Sequence, residues 1–399
     1  MISVEEARRR ILAALNPTAS EIVAIADADG RVLTEDVAAR RTQPPADMSA
    51  MDGYAVRAAD VATVPVTLDV IGAAPAGAVF TGRVGPGQAV RIFTGGVLPA
   101  GADTIVIQED TEAADGRVTV REAPKAGAFV RRAGLDFAAG EVRLRTGTRL
   151  DARAVGLAAA MNVPWLAVRR KPRVALIATG DELVRPGEPI GESQIVASNT
   201  LALAALVRAA GGEAIDLGIA RDNEASLRQV AEGARGADLV VTLGGASVGE
   251  HDLVRSVLGD DGRGLDFWKV AMRPGKPLMF GSVNGVPLLG LPGNPVSSIV
   301  CGLIYLRPAI AHMLGLAAGA DEEETVRLAR DLPENDRRQD YLRATLHHDG
   351  DGPLAEPAAK QDSSMLSTLA EADCLIVRAP HAPAASAGER VRILRFRGA

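Results

Sequence analysis

Short apolar runs alternate with amphipathic segments between residues 173 and 314. The runs RVALIAT, AIDLGIA and LVVTLGG are rich in branched apolar residues and end in glycine or polar residues, as buried parallel strands do. The intervening segments SNTLALAALVRAAGG and NEASLRQVAEGARG carry apolar residues at helical spacing, with Ser198 as the expected cap of the first. This alternation predicts an α/β domain with a doubly wound, mostly parallel sheet covered by helices on both faces.

Three further elements are expected in the same domain. LDFWKVAM predicts another strand, and MFGSVNGVPLLGL predicts a hairpin that turns at Asn284 and Gly285. Asn294 and Pro295 have residue types favoured at a helix start, so a long apolar helix is expected from there to Leu314.

Other patterns predict β-rich segments on either side of this domain. From Pro44 to about Thr146 the chain is dense in glycine and proline and contains short alternating runs, which predicts a β-rich insertion. Alternation over residues 21–41 predicts a hairpin that turns at Asp29 and Gly30. After an acidic linker at Asp321–Glu324, further alternating runs predict a small β-barrel.

Helices are expected on both sides of the β-rich insertion. Ser3 and Glu6 form a capping-box pattern before a helix that ends near Leu15, and Asp151 begins another helical stretch. We therefore predict four domains: residues 1–43 with 147–172 as a helix-rich connecting domain, 44–146 as the insertion, 173–320 as the α/β domain and 321–399 as the barrel.

Composition narrows the class of protein. Charged residues make up 24% and hydrophobic residues 47% of the 399 positions, which is ordinary for a globular chain. A net charge of −6 argues against a nucleic-acid-binding protein, which needs a basic face. No secretion signal and no uninterrupted run of about 18 apolar residues is visible, so we expect a cytoplasmic protein. Cys301 and Cys374 lie in apolar surroundings without metal-ligand spacing and are expected to be buried thiols.

The residues that follow the predicted parallel strands are polar. In an open parallel sheet, ligands bind beyond the carboxyl ends of the strands. Acidic residues follow three strands: Glu182 beside Asp181, Asp222 after Arg221, and Asp252 with Glu250. Basic residues follow a fourth in the phrase KVAMRPGKP, which contains Lys269, Arg273 and Lys276. This convergence favours a ligand with several negative charges, bound by the basic residues directly and by the acids through a hard cation such as magnesium.

The turn from Asp238 to Asp252 is the most suggestive single segment. Gly244, Gly245 and Gly249 allow close approach of the backbone to a ligand, and Ser247 adds a hydroxyl donor. Asp252 is then expected to begin a helix. The same segment is equally consistent with an unliganded turn, because it matches neither the P-loop nor the dinucleotide fingerprint.

Each of the other candidates also has a structural alternative. Glu182 could be a first-turn acid that stabilises a helix dipole, and Asp222 could be a helix cap. Lys269 could be a solvated strand residue, and RPGKP could only turn the chain. The helix start at Pro295, with Ser297 and Ser298 in its first turn, is a possible anion site, although most helix starts bind no ligand.

Six phrases in one order carry a family resemblance. They are SAMDGYAV (49–56), RIFTGGVLPAGADTIV (91–106), ATGDEL (178–183), TLGGASVGEHD (242–252), FWKVAMRPGKP (267–277) and GLPGNPVSS (290–298). They resemble the molybdopterin molybdotransferases, a family that includes the E domain of gephyrin and of plant molybdenum-cofactor proteins. The resemblance covers essentially the whole chain. It implies an L-shaped homodimer of four-domain subunits that converts adenylylated molybdopterin and molybdate into molybdenum cofactor and AMP, with magnesium required.

The resemblance also implies roles for individual residues. It places Asp52 and Thr94 near a cleft built from both subunits, with Asp136 as a further acidic contact. Around the pyrophosphate and Mg²⁺ it places Glu182, Asp222 and Asp252, with Lys269 on the phosphates. The remaining residues are implied to hold molybdate: Arg273, Lys276, the Pro277 backbone, Ser297, Arg343 and Ser363.

Two features of this chain leave those assignments open. Many members have lysine where this chain has Arg273, and a planar guanidinium changes the geometry of an oxyanion contact. Ser363 and Ser364 are adjacent, and the sequence does not say which faces the site.

Two other functions compete with this one. The α/β domain alone also resembles the adenylyltransferases of the pathway, which would use ATP and with which this chain is expected to make contact. Those enzymes need neither the SAMDGYA insertion nor the barrel. A non-catalytic pterin-binding or scaffolding protein is the other alternative, and the presence of both the acids and the basic residues argues against it.

Overall fold

The computed structural model describes residues 1–244, 265–283, 285–316 and 324–396. The chain divides into two compact units, one formed by residues 1–21, 30–32 and 168–399 and the other by residues 22–29 and 33–167. The four predicted domain boundaries remain a prediction.

Helices and strands are numbered here in chain order. The described α-helices are α1 (Val4–Ala13), α2 (Ala152–Ala160), α3 (Asn199–Ala209), α4 (Glu224–Glu232), α5 (Pro295–Cys301), α6 (Arg307–Met313) and α7 (Leu366–Ala370). The strands are β1 (Ser20–Ala24), β2 (Val37–Ala38), β3 (Met48–Ser49), β4 (Gly53–Val56), β5 (Val66–Ala74), β6 (Gln88–Ile92), β7 (Thr104–Ile107), β8 (Thr111–Ala114), β9 (Arg117–Val120), β10 (Val130–Arg131), β11 (Val142–Leu144), β12 (Trp165–Arg169), β13 (Arg173–Thr179), β14 (Leu183–Val184), β15 (Ile195–Val196), β16 (Glu213–Ala220), β17 (Leu239–Leu243), β18 (Phe267–Trp268), β19 (Met272–Arg273), β20 (Met279–Val283), β21 (Val286–Leu291), β22 (Glu324–Leu328), β23 (Gln339–Asp349), β24 (Gly352–Pro357), β25 (Cys374–Arg378) and β26 (Arg390–Arg395).

The first unit is built on a six-stranded mixed sheet in the order β16-β13-β17-β21-β20-β18. The first four strands are parallel to one another, whereas β20 is antiparallel to β21 and β18 is antiparallel to β20. The predicted mostly parallel sheet is therefore confirmed. The predicted strand LDFWKVAM is wrong in length, because only Phe267 and Trp268 pair in this sheet and β19 pairs with β23 instead.

Both faces of this sheet are covered, which explains why its inner parallel strands β13, β17 and β21 read as continuous apolar runs. On one face, side chains of β13 and β17 such as Leu176 and Val241 pack with residues of α1, α3, α5 and α6. On the other, Ile177 and Val240 pack with Leu227 of α4. The sheet is thus doubly wound, as predicted.

The long apolar helix expected after Pro295 is present. Residues Pro295–Met313 form α5, a π-helical segment at Gly302–Leu306 and α6 without a break. By length and composition alone this helix could cross a membrane, and 78% of its most apolar window is buried inside the protein. Such burial is typical of a core helix. Cys301 on this helix and Cys374 on β25 are both buried and free, as predicted.

The last part of the chain forms the predicted barrel. Strands β23, β24, β22, β26 and β25 follow one another around it, and β25 pairs with β23 to close the ring. The runs TVRLAR, DYLRATLHH, DCLIV and ERVRILRF predict four of these strands, and β24 was missed because its sequence, GPLAEP, is short and contains two prolines. β19 pairs with the start of β23, with Arg273 opposite Asp340.

The second unit contains the β-rich insertion. Its main sheet has the order β7-β4-β6-β5-β9-β8, and two smaller antiparallel pairs, β3 with β10 and β2 with β11, lie beside it in the chain. The hairpin predicted over residues 21–41 is wrong, because β2 pairs with β11. The turn at Asp29 and Gly30 is present, and Gly30 has a φ of +72°.

Candidate active site

Glycine allows the ends of the central parallel strands to approach each other closely. The Thr179 hydroxyl at the end of β13 donates to the Leu243 carbonyl at the end of β17, at 3.3 Å. Gly244 follows with a φ of +93°, and a Cβ there would lie 2.7 Å from the Thr179 carbonyl oxygen. Its N–H donates to the carbonyl of Leu291 at the end of β21. A side chain at position 244 would therefore push apart the strand ends at this edge of the sheet.

The acids after β13 and β16 lie in two turns that touch. The N–H of Asp222 donates to the Asp181 carboxylate at 3.4 Å. The Glu182 carboxyl lies directly over Gly180, where a Cβ would come within 2.3 Å of it. All three carboxylates are exposed. The structure therefore brings the predicted acids of these two strands to one place on the sheet edge.

Neither structural alternative for these acids holds. Glu182 is followed by β14 and not by a helix, so it stabilises no helix dipole. The cap of α4 is Asn223, whose side-chain oxygen accepts from the N–H of Ser226 at 2.8 Å. Glu182 therefore does not stabilise a helix dipole, and Asp222 does not cap a helix.

The described acids satisfy only part of the predicted metal site. Exposed carboxylate oxygens at Glu182 and Asp222 are the donors that Mg²⁺ prefers. Among the described residues, however, no group of three or more His, Cys, Asp or Glu side chains is placed to hold a metal ion. The third predicted ligand, Asp252, lies outside the described residues. The same is true of Gly245, Ser247, Gly249, Glu250 and Asn284.

The basic residues lie on a turn that leaves and rejoins the sheet edge. The N–H of Lys269 donates to the Leu278 carbonyl and that of Val270 to the Lys276 carbonyl, both at 3.0 Å. We call residues 269–278 the basic loop. The Lys269 ammonium lies 3.7 Å from the centroid of the Trp268 ring, so it is not simply a solvated strand residue. Lys276 is exposed and Pro277 half-buried.

The acids and the basic loop share an edge but not a position along it. The pairing register aligns Trp268 with Met279, Gly290, Thr242 and Ile177 across five strands. At roughly 4.8 Å per strand, the row from β18 to β13 spans about 19 Å. Lys269 and Glu182 therefore follow strands that lie about 19 Å apart along one edge of the sheet. A ligand that contacts both must be an extended molecule.

Arg273 points at carboxylates of the barrel. Its Nε donates to both oxygens of Asp340, at 2.9 and 3.0 Å, and its Nη2 also donates to Asp340. Nη1 lies 3.4 Å from Asp336, and Nη2 lies 3.4 Å from the side-chain oxygen of Asn335. The side chain of Asp340 is 5% exposed. Burial raises the pKa of the Asp340 carboxyl, and the Arg273 guanidinium opposes that rise.

Arg343 is buried beneath a loop of the barrel. It is 1% exposed, and its Nη1 donates to the Met365 carbonyl at 3.2 Å. The Gln361 side-chain oxygen accepts from both the backbone N–H and the Nε of Arg343, and its amide donates back to the Arg343 carbonyl. Burial lowers the pKa of Arg343. This buried cation thus holds the loop at residues 358–365.

That loop meets the start of α5 through Ser363. The Ser363 hydroxyl accepts from the Asn294 amide at 3.0 Å, and the Ser363 carbonyl accepts from the Val296 N–H at 3.2 Å. The Ser364 hydroxyl instead donates to Asp362. Pro295 begins the helix as predicted, but Asn294 does not cap it with its side chain. Ser297, in the first turn, is 5% exposed.

In the second unit, Asp52 and Thr94 form a tight pair. The N–H and the hydroxyl of Thr94 both donate to one Asp52 carboxylate oxygen at 2.7 Å, and these bonds lower the pKa of Asp52. The guanidinium of Arg91 lies 5.0 Å from the Tyr54 ring centroid and 5.1 Å from that of Phe93. Asp136 is exposed, and its N–H donates to the Gln43 carbonyl.

Sequence reasoning missed the positioning role of four residues, although it named Asn294 as a helix start. Asn199 donates to the Gly293 carbonyl at 2.6 Å and so ties α3 to the turn after β21. Asn294, Asp340 and Gln361 hold Ser363, Arg273 and Arg343 respectively. Asp340 had a detectable signal, because an acid stands between polar Gln339 and an apolar strand. The other three look like ordinary loop or helix-start residues.

Known proteins resemble this chain along its whole length. Three family descriptions match consecutive parts of it: MoeA N-terminal region (domain I and II) over residues 2–162, probable molybdopterin binding domain over residues 175–312 and MoeA C-terminal region (domain IV) over residues 325–396. The chain is 35% identical over 401 residues to the molybdopterin molybdenumtransferase of Haemophilus influenzae, and the match covers 99% of each chain. The chain belongs to the MoeA family.

Other members support the same assignment. The molybdopterin molybdenumtransferase of Nostoc sp. is 39% identical over 387 residues, which cover 94% of this chain and 89% of that protein. A crystal structure of the MoeA molybdopterin biosynthesis protein from Pyrococcus horikoshii superposes with a TM-score of 0.86 at 32% identity and covers 100% of both chains. This MoeA protein is a transferase of molybdenum cofactor biosynthesis.

Proposed function

We propose that this protein inserts molybdate into adenylylated molybdopterin and releases AMP in a magnesium-dependent reaction. The observation that carries the proposal is the arrangement of charge along one sheet edge. Exposed acids follow β13 and β16, and the basic loop with its exposed Lys276 follows β18, about 19 Å from β13 by strand spacing. A nucleotide joined to a pterin through phosphates is long enough to contact both ends, and it is strongly anionic.

The proposed role of each residue follows from the charge of its side chain. Lys269 would neutralise phosphate oxygens, and the exposed Lys276 with Pro277 and Ser297 would receive molybdate. Arg343 contributes through the loop that it holds, which presents Ser363 at the start of α5. Because molybdate and pyrophosphate are both anions, the main task of these side chains is to place positive charge and hydrogen-bond donors before the reactants meet.

Glu182 and Asp222 would hold Mg²⁺ together with Asp252. The ion, when bound, neutralises charge on the phosphate oxygens. Glu182 is suited to this because Gly180 leaves room for its carboxyl, and Asp222 because its turn is fixed by Asp181. Removing either carboxylate should weaken Mg²⁺ binding rather than alter the fold.

Release of AMP tests the proposal. Purified protein is mixed with adenylylated molybdopterin, molybdate and Mg²⁺, and AMP is quantified over time. Glu182→Gln and Asp222→Asn should raise the Mg²⁺ concentration for half-maximal rate by about tenfold, the effect of losing one charged ligand. Glu188→Gln is the matched control, because Glu188 is also exposed and accepts from the Arg185 N–H in the neighbouring turn. Absence of AMP with wild-type protein would refute the proposal.

The same assay separates the adenylyltransferase alternative. If the protein consumes ATP in the presence of molybdopterin and does not turn over the adenylylated compound, it catalyses the preceding step of the pathway. Binding of the pterin without either reaction would instead indicate a scaffold.

The proposal also covers the oligomeric state of the protein. We propose a cytoplasmic homodimer in which Asp52, Thr94 and Asp136 of one subunit act on substrate bound by the other, and which contacts the molybdopterin adenylyltransferase. Light scattering should give about twice the 41.4 kDa of one chain. A monomer that retains full activity would contradict this arrangement.

A further inference from the structure

Arg273 occupies a position where the resemblance implies an oxyanion ligand, but its hydrogen bonds point elsewhere. Each of its three guanidinium nitrogens has an oxygen acceptor in the barrel: Nε and Nη2 on Asp340, and Nη1 near Asp336. The hydrogen bonds to Asp340 raise the pKa of Arg273. A guanidinium already paired with a nearly buried carboxylate, that of Asp340, has less charge to offer an anion.

The pair also joins two pieces of backbone. Arg273 lies opposite Asp340 in the parallel pairing of β19 with β23, and the Gln339 N–H donates to the Ala271 carbonyl at 2.9 Å. On its other side the basic loop rests on α5, because Gly275 lies so close to Cys301 that a Cβ would come within 2.5 Å of Sγ. The loop is thus fixed from both sides, and the Arg273–Asp340 pair fixes the side toward the barrel.

Lys276 differs from Arg273 in its partners. Both residues are exposed, but within the described ranges no side-chain acceptor is found for the Lys276 ammonium. Its backbone carbonyl accepts from the Val270 N–H, which closes the base of the loop. Where Lys276 points therefore depends on how firmly the loop is held.

We propose that Asp340 is a positioning residue which holds Arg273 as an anchor between the basic loop and the barrel, so that Lys276, and not Arg273, is the loop's oxyanion ligand. This deepens the proposed function and rests on it. It predicts that removing the Asp340 carboxylate changes molybdate affinity in the direction opposite to that expected if Arg273 were a direct ligand. If Arg273 bound molybdate in competition with Asp340, removing the carboxylate would free the guanidinium and tighten molybdate binding. If Arg273 is an anchor, removing the carboxylate releases the loop and weakens molybdate binding.

The decisive variant is Asp340→Asn, which keeps the size of the side chain and removes its charge. The KM for molybdate in the AMP-release assay should rise by about tenfold with a smaller change in kcat, the expected effect of a displaced ligand. Arg273→Gln should give a similar rise, and the double variant should be no worse than either single variant, because both remove one pair. A lower KM for Asp340→Asn, or additive effects, would overturn the proposal.

Asp238→Asn is the matched control. Asp238 accepts two hydrogen bonds from Arg170, at 2.7 and 3.0 Å, in the same unit but at the amino end of β17. It should lower stability without changing the KM for molybdate. An equal rise in KM for this control would mean that Asp340 acts only through general stability, which would also overturn the proposal.

Two further measurements keep the test independent of folding and of turnover. If Asp340→Asn does not fold, the exposed Asp336→Asn replaces it: an unchanged or raised KM supports the anchor, and a lowered KM overturns it.

If the wild-type protein releases no AMP, the proposed function fails, and titration of molybdate by calorimetry still decides the anchor. Asp340→Asn should then weaken molybdate binding about tenfold, and tighter binding would refute the anchor alone.

Discussion

Gly275→Ala should destabilise the first unit and release the basic loop. Gly275 has a φ of +113°, which L residues rarely adopt. A Cβ there would lie 2.5 Å from Cys301 Sγ and 3.0 Å from both Sδ and Cε of Met272. These atoms are buried, and Met272 also lies 3.4 Å from the Tyr305 hydroxyl, so they have little room to move. The loop or the helix must shift.

Two costs add up in this variant. Backbone strain at positive φ is about 1–3 kcal/mol, and overpacking a filled core is about 1–3 kcal/mol. We expect a loss of roughly 3 kcal/mol in the free energy of unfolding, or about 1 M in the urea midpoint for an m-value near 3 kcal/mol/M. The first unit carries Trp268 and the second carries Trp165, the two tryptophans of the chain. In a Trp165→Phe background, Trp268 fluorescence follows the first unit alone.

Cys301→Ala provides the matched control for this mechanism. Alone it should cost about 1 kcal/mol through the cavity it leaves. Combined with Gly275→Ala it should cost at least about 1 kcal/mol less than the sum of the two single variants, because the closest clash is removed. A Gly275→Ala midpoint within error of wild type, or strictly additive costs, would refute the close contact between loop and helix.

Three other predictions follow from single contacts. Ser363→Ala should lower the rate of AMP release about tenfold, because Ser363 contacts the start of α5, whereas Ser364→Ala should leave it unchanged; equal losses would contradict the assignment. Gly244→Ala should lower the free energy of unfolding by about 2–4 kcal/mol in urea titrations, since its Cβ would lie 2.7 Å from the Thr179 oxygen. Arg338 lowers the pKa of Asp336 from 3.8 to about 2, so this ion pair stabilises the fold above roughly pH 4 and loses that effect as the pH falls toward 2. Asp336→Asn should therefore flatten the acid dependence of the unfolding midpoint in this window, and an unchanged profile would contradict it.

The elements that build the central sheet were predictable because their burial is continuous. β13 and β17 are apolar on both faces and bounded by glycine or polar residues, and the helices between the parallel strands have helical spacing. Local sequence patterns did not predict the strand pairs whose members lie far apart in the chain. Nothing near residues 21–41 indicates that Val37 and Ala38 pair with β11, more than a hundred residues away. Likewise, nothing in KVAMRPGKP shows that Met272 and Arg273 pair with the barrel.

The sequence predicted which residues form the candidate site, but not which residues they contact in the fold. The rule that ligands bind beyond the carboxyl ends of parallel strands led to Glu182, Asp222 and Lys269. It could not show that Lys269 lies at the far end of the sheet, because strand order depends on the hairpin that places β18 outside β20. Nor could charge alone show that Arg273 is matched by Asp340 or that Arg343 is buried beneath its loop.

The most direct test of the central claim is to measure molybdenum transferred and AMP released in the same single-turnover experiment. Enzyme in excess over adenylylated molybdopterin is mixed with molybdate and Mg²⁺, and the quenched product is analysed for pterin-bound molybdenum by mass spectrometry and for AMP by chromatography. We predict one molybdenum bound to the pterin for each AMP released, with both lost together in Lys276→Ala. Release of AMP without bound molybdenum, or undiminished transfer by Lys276→Ala, would contradict it.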